Sequence, residues 1–150
     1  IKLINSSVSG DTTGGGLGRL AKNLKKFKPD FVLIELGGND ALRGYSIKLI
    51  KSNLEKMIAL IKQNESKVLL MQIRIPPNYG QKYMLAFEKI YKDLALSEEV
   101  YLIPFMLEEI GINSELMQPD GIHPNKKAQS LIAKDVKKNI DKFLLINQSN

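Results

Sequence analysis

The sequence predicts an α/β fold, a three-layer αβα sandwich around a parallel sheet. Strand-length apolar runs alternate with segments whose apolar residues recur at helical spacing, and the runs are apolar along their whole length, as strands covered on both faces are. SGD, GGND and RIPP each follow an expected strand, on the carboxyl rim where open α/β sheets gather their chemistry.

The first strand is expected at Lys2 to Val8 (KLINSSV), ahead of the turn-rich SGDTTGGG. Leu17, Leu20, Ala21, Leu24 and Phe27 then share one face of a helix that Pro29 and Asp30 close. FVLIEL (Phe31 to Leu36) is a buried strand ending in GGND. A second helix carries Ile47, Ile50, Leu54, Met57, Ile58 and Ile61. KVLLMQI (Lys67 to Ile73) repeats the strand pattern and runs into RIPPNYG, a loop stiffened by Pro76 and Pro77. Tyr83, Phe87, Ile90, Tyr91 and Leu94 mark a third helix, and VYLIP (Val100 to Pro104) a fourth strand. FMLEEIGINSELMQ reads as irregular or short-helical. Ala128, Leu131, Ile132, Val136, Ile140, Phe143 and Leu144 stripe a long terminal helix entered through Pro124 and Asn125.

A length of 150 residues suits one domain. Apolar residues at 43% and charged ones at 25% are ordinary globular usage, and no apolar run approaches the ~18 residues of a membrane span. The net charge of +6 is carried almost entirely by lysines on helix faces, such as Lys134, Lys137, Lys138 and Lys142, without the Arg and aromatic clustering of a nucleic-acid surface. With no cysteine there is no disulfide, thiolate metal site or Cys nucleophile. The chain opens at Ile1, inside an expected strand, so the expectation is a single domain over 1–150 that is incomplete at its N-terminus.

The only histidine, His123, stands in DGIHP just before the terminal helix. An acid three residues ahead of it, Asp120, can fold back to accept the Nδ1 proton and hold Nε2 as a base; the same residues also suit a helix cap beside a surface histidine. A metal site lacks partners, since no other His or Cys is present. In GGND, Asn39 can aim its amide into the rim cleft as an oxyanion donor, or the stretch is a tight turn with Asp40 capping the next helix. SGDTTGGGLGR fails the glycine spacing of a dinucleotide loop and lacks a Gly-Lys-Ser/Thr ending. Gly10 as a backbone N–H donor, or a simple loop, suits it better. No G-x-S-x-G elbow occurs.

Together NSSVSGDTTGGGLGRL, FVLIELGGNDALRG, VLLMQIRIPPNYG and MQPDGIHPN resemble, in order and over essentially the whole chain, the SGNH (GDSL-type) hydrolases, within them the bacterial esterase, thioesterase I and lysophospholipase L1 group. The resemblance implies a flavodoxin-like sheet. It implies catalytic Asp120 and His123 as orienter and base, and oxyanion donors at Gly10 (backbone N–H) and Asn39 (side chain). The family's nucleophilic serine lies in a Gly-Asp-Ser motif after its first strand, and this sequence has none. Gly10-Asp11-Thr12 is not its substitute, because the resemblance places that stretch in the family's second block, with Ser6, Ser7 and Ser9. The family's first strand, with its serine, is therefore expected to be missing from this chain.

For the complete protein the resemblance implies hydrolysis of carboxylic esters, thioesters or lysophospholipids through an acyl-enzyme. The partner is then a small acyl substrate, without metal or organic cofactor and without nucleic acid. These 150 residues alone are expected to be inactive. Ile73, Arg74, Ile75 and Pro76 are the expected acyl-binding wall, with a rigid structural loop as the alternative. Relatives with this pattern are often periplasmic or secreted. A non-catalytic copy of the scaffold and a nucleotide-binding α/β module are the competing readings.

Overall fold

The computed structural model describes residues 1–108 and 110–148. Its elements are α1 (Thr13–Phe27), β1 (Phe31–Ile34), α2 (Gly38–Leu42), α3 (Ile47–Gln63), β2 (Lys67–Met71), α4 (Gln81–Ser97), β3 (Tyr101–Ile103) and α5 (Gln129–Gln148), with short 3₁₀ turns at Pro77–Tyr79, Ser114–Leu116 and Lys126–Ala128. The fold is α/β, with a sheet in the order β1-β2-β3. β1 and β2 run parallel, Phe31 opposite Lys67 and Ile34 opposite Leu70. The chain packs as two compact units, Ile1–Leu102 and a second that begins at Ile103.

In the first unit, the expected periodicities become packing. Leu20 and Leu24 of α1, Ile50, Leu54, Ile58 and Ile61 of α3, and Phe87, Ile90, Tyr91 and Leu94 of α4 close over Ile34, Val68 and Leu70 in one apolar core. Each fully buried side chain of this size contributes about 1.5–3 kcal/mol. Thr12 caps α1, its hydroxyl accepting from the Gly15 N–H, and Lys28 ends the helix in a left-handed conformation one residue before Pro29. Ser46 caps α3 by accepting from Leu49 N–H. The glycine run lies inside the first turns of α1 rather than in a phosphate loop; a Cβ on Gly16 would come within 2.3 Å of Leu36 Cδ1.

Two expectations are corrected. Lys2 to Val8 is not a strand. Its backbone finds no ladder, since among the described residues no strand lies on the outer edge of β1, and its apolar residues stay exposed, Leu3 at 86%. A strand without a partner leaves its N–H and C=O groups to solvent and gains nothing from alternation. In α5, Leu131 lies exposed while Phe143 is buried and Asn139 takes a buried place beside the apolar stripe. Glu109, within the segment expected to be irregular or short-helical, lies outside the described residues.

Between β1 and α2 the chain turns sharply at Gly37, whose φ is +118° and where a Cβ would stand 2.4 Å from the Tyr91 hydroxyl. That hydroxyl donates to the Leu36 carbonyl at 2.9 Å, so the turn is pinned to α4. Burial, followed by the nearby Asp40 charge, pushes the Tyr91 phenol well above its usual range, which keeps it a donor. Gly37→Ala is therefore expected to cost about 1–3 kcal/mol of stability in urea unfolding, through strain and the lost approach of Tyr91. An unchanged midpoint would contradict this account of the turn.

Candidate active site

The loop before α5 braces itself. Met117 and Pro124 form an antiparallel bridge, with Gln118 N–H donating to the His123 carbonyl at 2.7 Å and Asn125 N–H to the Leu116 carbonyl at 2.7 Å. Asn125 is its hub: its side chain accepts from Lys127 N–H and donates to the carbonyls of Glu115 and Met117. Gly121, at φ +68°, supplies the left-handed step that lets Asp120 fold back. Asp120 Oδ1 then accepts the backbone N–H groups of Ile122 (2.9 Å) and His123 (3.0 Å), while Oδ2 meets His123 Nδ1 at 2.8 Å.

An ionised carboxylate can only accept, so Nδ1 donates to Asp120, and in a neutral ring Nε2 is then the acceptor nitrogen. The His123 backbone N–H, then its ring, then the Ile122 N–H lower the Asp120 pKa to about 2. Asp120 is thus an anion throughout the range in which an imidazole exchanges protons. The His123 side chain is 65% exposed, and among the described residues Nε2 has no protein partner. Cap and dyad turn out to be compatible, because Asn125 does the capping and leaves Asp120 to the ring.

The other two expected site residues lie in the first unit. Gly10 is left-handed at φ +74° with open space where a side chain would be. The stretch before α1 is held by Asp11, which accepts from Thr12 N–H and from the Arg19 guanidinium at 2.8 Å; Arg19 also donates to the Ser6 carbonyl. Asn39 lies in the first turn of α2, half-buried. Among the described residues, neither the Gly10 N–H nor the Asn39 side-chain amide has a hydrogen-bond partner. Thr12 is committed as the α1 cap.

The Ile73 to Pro76 stretch divides. Ile75 is buried in the core at 6% exposure and holds the loop down, and Arg74 lies 3.7 Å from Glu88. Ile73 packs against the GGND turn, 3.4 Å from where a Gly38 Cβ would be, and Pro76 is partly exposed. An open cleft of about 490 Å³ beside this loop is lined instead by Ile47, Tyr79, Tyr83 and Ala86 among others.

Sequence reasoning missed what Asp40 does. It caps no helix: it sits inside α2 at 1% exposure, and its carboxylate accepts the backbone N–H (2.8 Å) and hydroxyl (2.5 Å) of Thr13. Asn53 of α3 donates to the same hydroxyl at 3.0 Å. The available signal was a Thr at the start of an amphipathic helix and an acid after a glycine pair. Nothing in a local pattern pairs residues 27 positions apart.

The first unit is a parallel α/β fold, and the loop before α5 carries an oriented acid–histidine pair. Residues 1–131 match the GDSL-like Lipase/Acylhydrolase family. The chain is 51% identical to an arylesterase of Vibrio mimicus, spanning 96% of this chain and 72% of that protein. It is 47% identical to thioesterase 1/protease 1/lysophospholipase L1 of Escherichia coli K12, spanning 87% of this chain but only 63% of that enzyme, less than two thirds of its length. Among solved structures, the psychrotrophic esterase EstA from Pseudoalteromonas sp., inhibited by monoethylphosphonate, superposes with a TM-score of 0.92 at 42% identity, covering 95% of this chain and 78% of that one. The chain belongs to the GDSL-like lipase/acylhydrolase family, whose members among these relatives are ester hydrolases.

Because its folded pKa is depressed, the Asp120 turn is intact above the ordinary carboxylate value of 3.8 and is lost as pH falls toward about 2. Backbone amide shifts of Ile122 and His123 are expected to titrate with a midpoint near 2. A midpoint near 3.8 would mean that the carboxylate is not held by those amides.

Proposed function

We propose that this chain carries the base and the oxyanion donors of a serine-type hydrolase of carboxylic esters and thioesters, with aryl esters and lysophospholipids as the substrate classes suggested by the relatives. The observation that carries the reading is the Asp120–His123 pair, in which two backbone amides and Nδ1 hold the carboxylate and leave Nε2 uncommitted. In this reading a serine hydroxyl attacks the acyl carbon as Nε2 takes its proton, and Asp120 stabilises the imidazolium. The imidazolium then protonates the leaving alcohol or thiol as the acyl–oxygen or acyl–sulfur bond breaks, and water releases the acyl group by the same base. Gly10 N–H and Asn39 donate to the oxyanion, each such donor lowering the barrier by about 3 kcal/mol. Ile73 and Pro76 are the remaining candidates for the acyl wall. The machinery calls for no metal or organic cofactor.

The nucleophile is the one role these 150 residues leave unfilled, since they contain no Gly-Asp-Ser and Thr12 is spent on α1. The 150 residues alone are therefore expected not to turn over p-nitrophenyl esters, and the same residues joined to a family first block that carries Gly-Asp-Ser are expected to do so. In the active form, His123→Ala is expected to lower kcat by about 10²–10⁴-fold. Asn39→Ala is expected to lower it by about 10²–10³-fold. Full activity in His123→Ala would overturn the mechanism, and inactivity of the joined protein would favour a scaffold that no longer catalyses.

A further inference from the structure

Between the Gly10 loop and the GGND turn lies a hydrogen-bond lock that the mechanism above does not use. Thr13, 0% exposed, opens α1 three residues after Gly10, and Asp40 follows Asn39 directly. Both Asp40 oxygens are spent on Thr13, at 2.8 Å to its N–H and 2.5 Å to its hydroxyl. The hydroxyl in turn accepts from Asn53 Nδ2 at 3.0 Å, so α3 buttresses the pair. A second tie crosses the same gap at the surface, where Arg43, at the end of α2, donates through Nη2 to the Gly10 carbonyl at 3.1 Å. The two ties bracket Gly10 and Asn39, whose backbone N–H and side-chain amide have no hydrogen-bond partner among the described residues.

We infer that Thr13 and Asp40, braced by Asn53 and assisted by Arg43, are positioning residues that set the spacing of the Gly10 N–H and the Asn39 amide. This rests on the reading of those two groups as oxyanion donors. Rigidity is what the ties supply: a left-handed glycine has no side chain to anchor it, and a five-residue helix such as α2 has little stability of its own. Preorganised donors help only when held near the place where charge develops, so ties that fix two loops to each other act on kcat rather than on substrate affinity. A hydroxyl-to-carboxylate bond out of water is short and directional, and suited to that task.

The test compares Thr13→Val, which keeps shape but removes the hydroxyl, with Thr13→Ser, which restores it, and with the surface change Arg43→Met, which leaves the buried lock intact. Amide resonances of Gly10 N–H and the Asn39 side chain are followed in the chain itself, and kcat and KM for a p-nitrophenyl ester in the active form. Thr13→Val is expected to move both resonances and lower kcat by about 10-fold or more with KM within about 2-fold. Thr13→Ser is expected to return all of these toward the parent, and Arg43→Met to shift Gly10 more than Asn39. Should Thr13→Val fail to fold, Asn53→Ala, which removes only the buttress, is expected to give smaller shifts of the same resonances. Resonances that stay put in the folded variants overturn the inference, as does a Thr13→Ser that fails to recover. If the parent has no esterase activity, the hydrolase reading falls, yet the resonances still decide whether the lock positions these two groups.

Discussion

The carboxylate of Asp40 lies at 1% exposure with Thr13 as its hydrogen-bonding partner, and much of the first unit is arranged around that pairing. A charge removed from water costs several kcal/mol unless hydrogen bonds replace its hydration, and here one residue supplies two donors from the start of α1. Meeting that requirement fixes where α1 begins, which face of α2 turns inward and how α3 approaches through Asn53. The apolar core formed by α1, α3, α4 and the sheet gives the unit its stability, but it is non-directional. The buried pair is not, and so it sets the register of the loops that carry Gly10 and Asn39.

The Asp120 turn follows a different rule. Its carboxylate is exposed, and hydrogen bonds from the His123 and Ile122 amides and the His123 ring lower its pKa against a lesser desolvation effect, so the arrangement depends on local backbone geometry. Gly121 permits the reversal, Asn125 ties the loop to its own start and to the helix it opens, and two amides point at one oxygen of the acid. The second oxygen is left for the imidazole. A pair built in this way can be accessible to a substrate and still keep one orientation.

How far the sequence discloses this molecule depends on whether the information is local. The helices with Leu20, Leu24, Ile50, Leu54, Phe87 and Tyr91 on one face were legible because period and burial coincide. β2 was legible because it is the central strand, buried along nearly all of its length. DGIHP was legible because acid, glycine and histidine act within one turn. Lys2 to Val8 misled for the opposite reason: its pattern is a strand's, but a strand exists only with a neighbour, and among the described residues none pairs with it. The Thr13–Asp40 lock was invisible because its members are polar, unpatterned and far apart along the chain. The part played by Ile75, buried in the structure, was not legible because a loop next to a strand end can either line a cleft or plug the core beneath it, and the letters IRIPP suit both.

The account turns on the state of one ring, and the chain helps by having a single histidine. Long-range nitrogen–proton correlation of the neutral His123 imidazole reports directly which nitrogen carries the proton. If Asp120 holds the ring as described, the proton is on Nδ1 and Nε2 shows the shift of an unprotonated acceptor. A neutral ring protonated on Nε2, or a rapidly averaging mixture, would mean that the carboxylate does not orient the imidazole, and the base on which the whole reading depends would be lost.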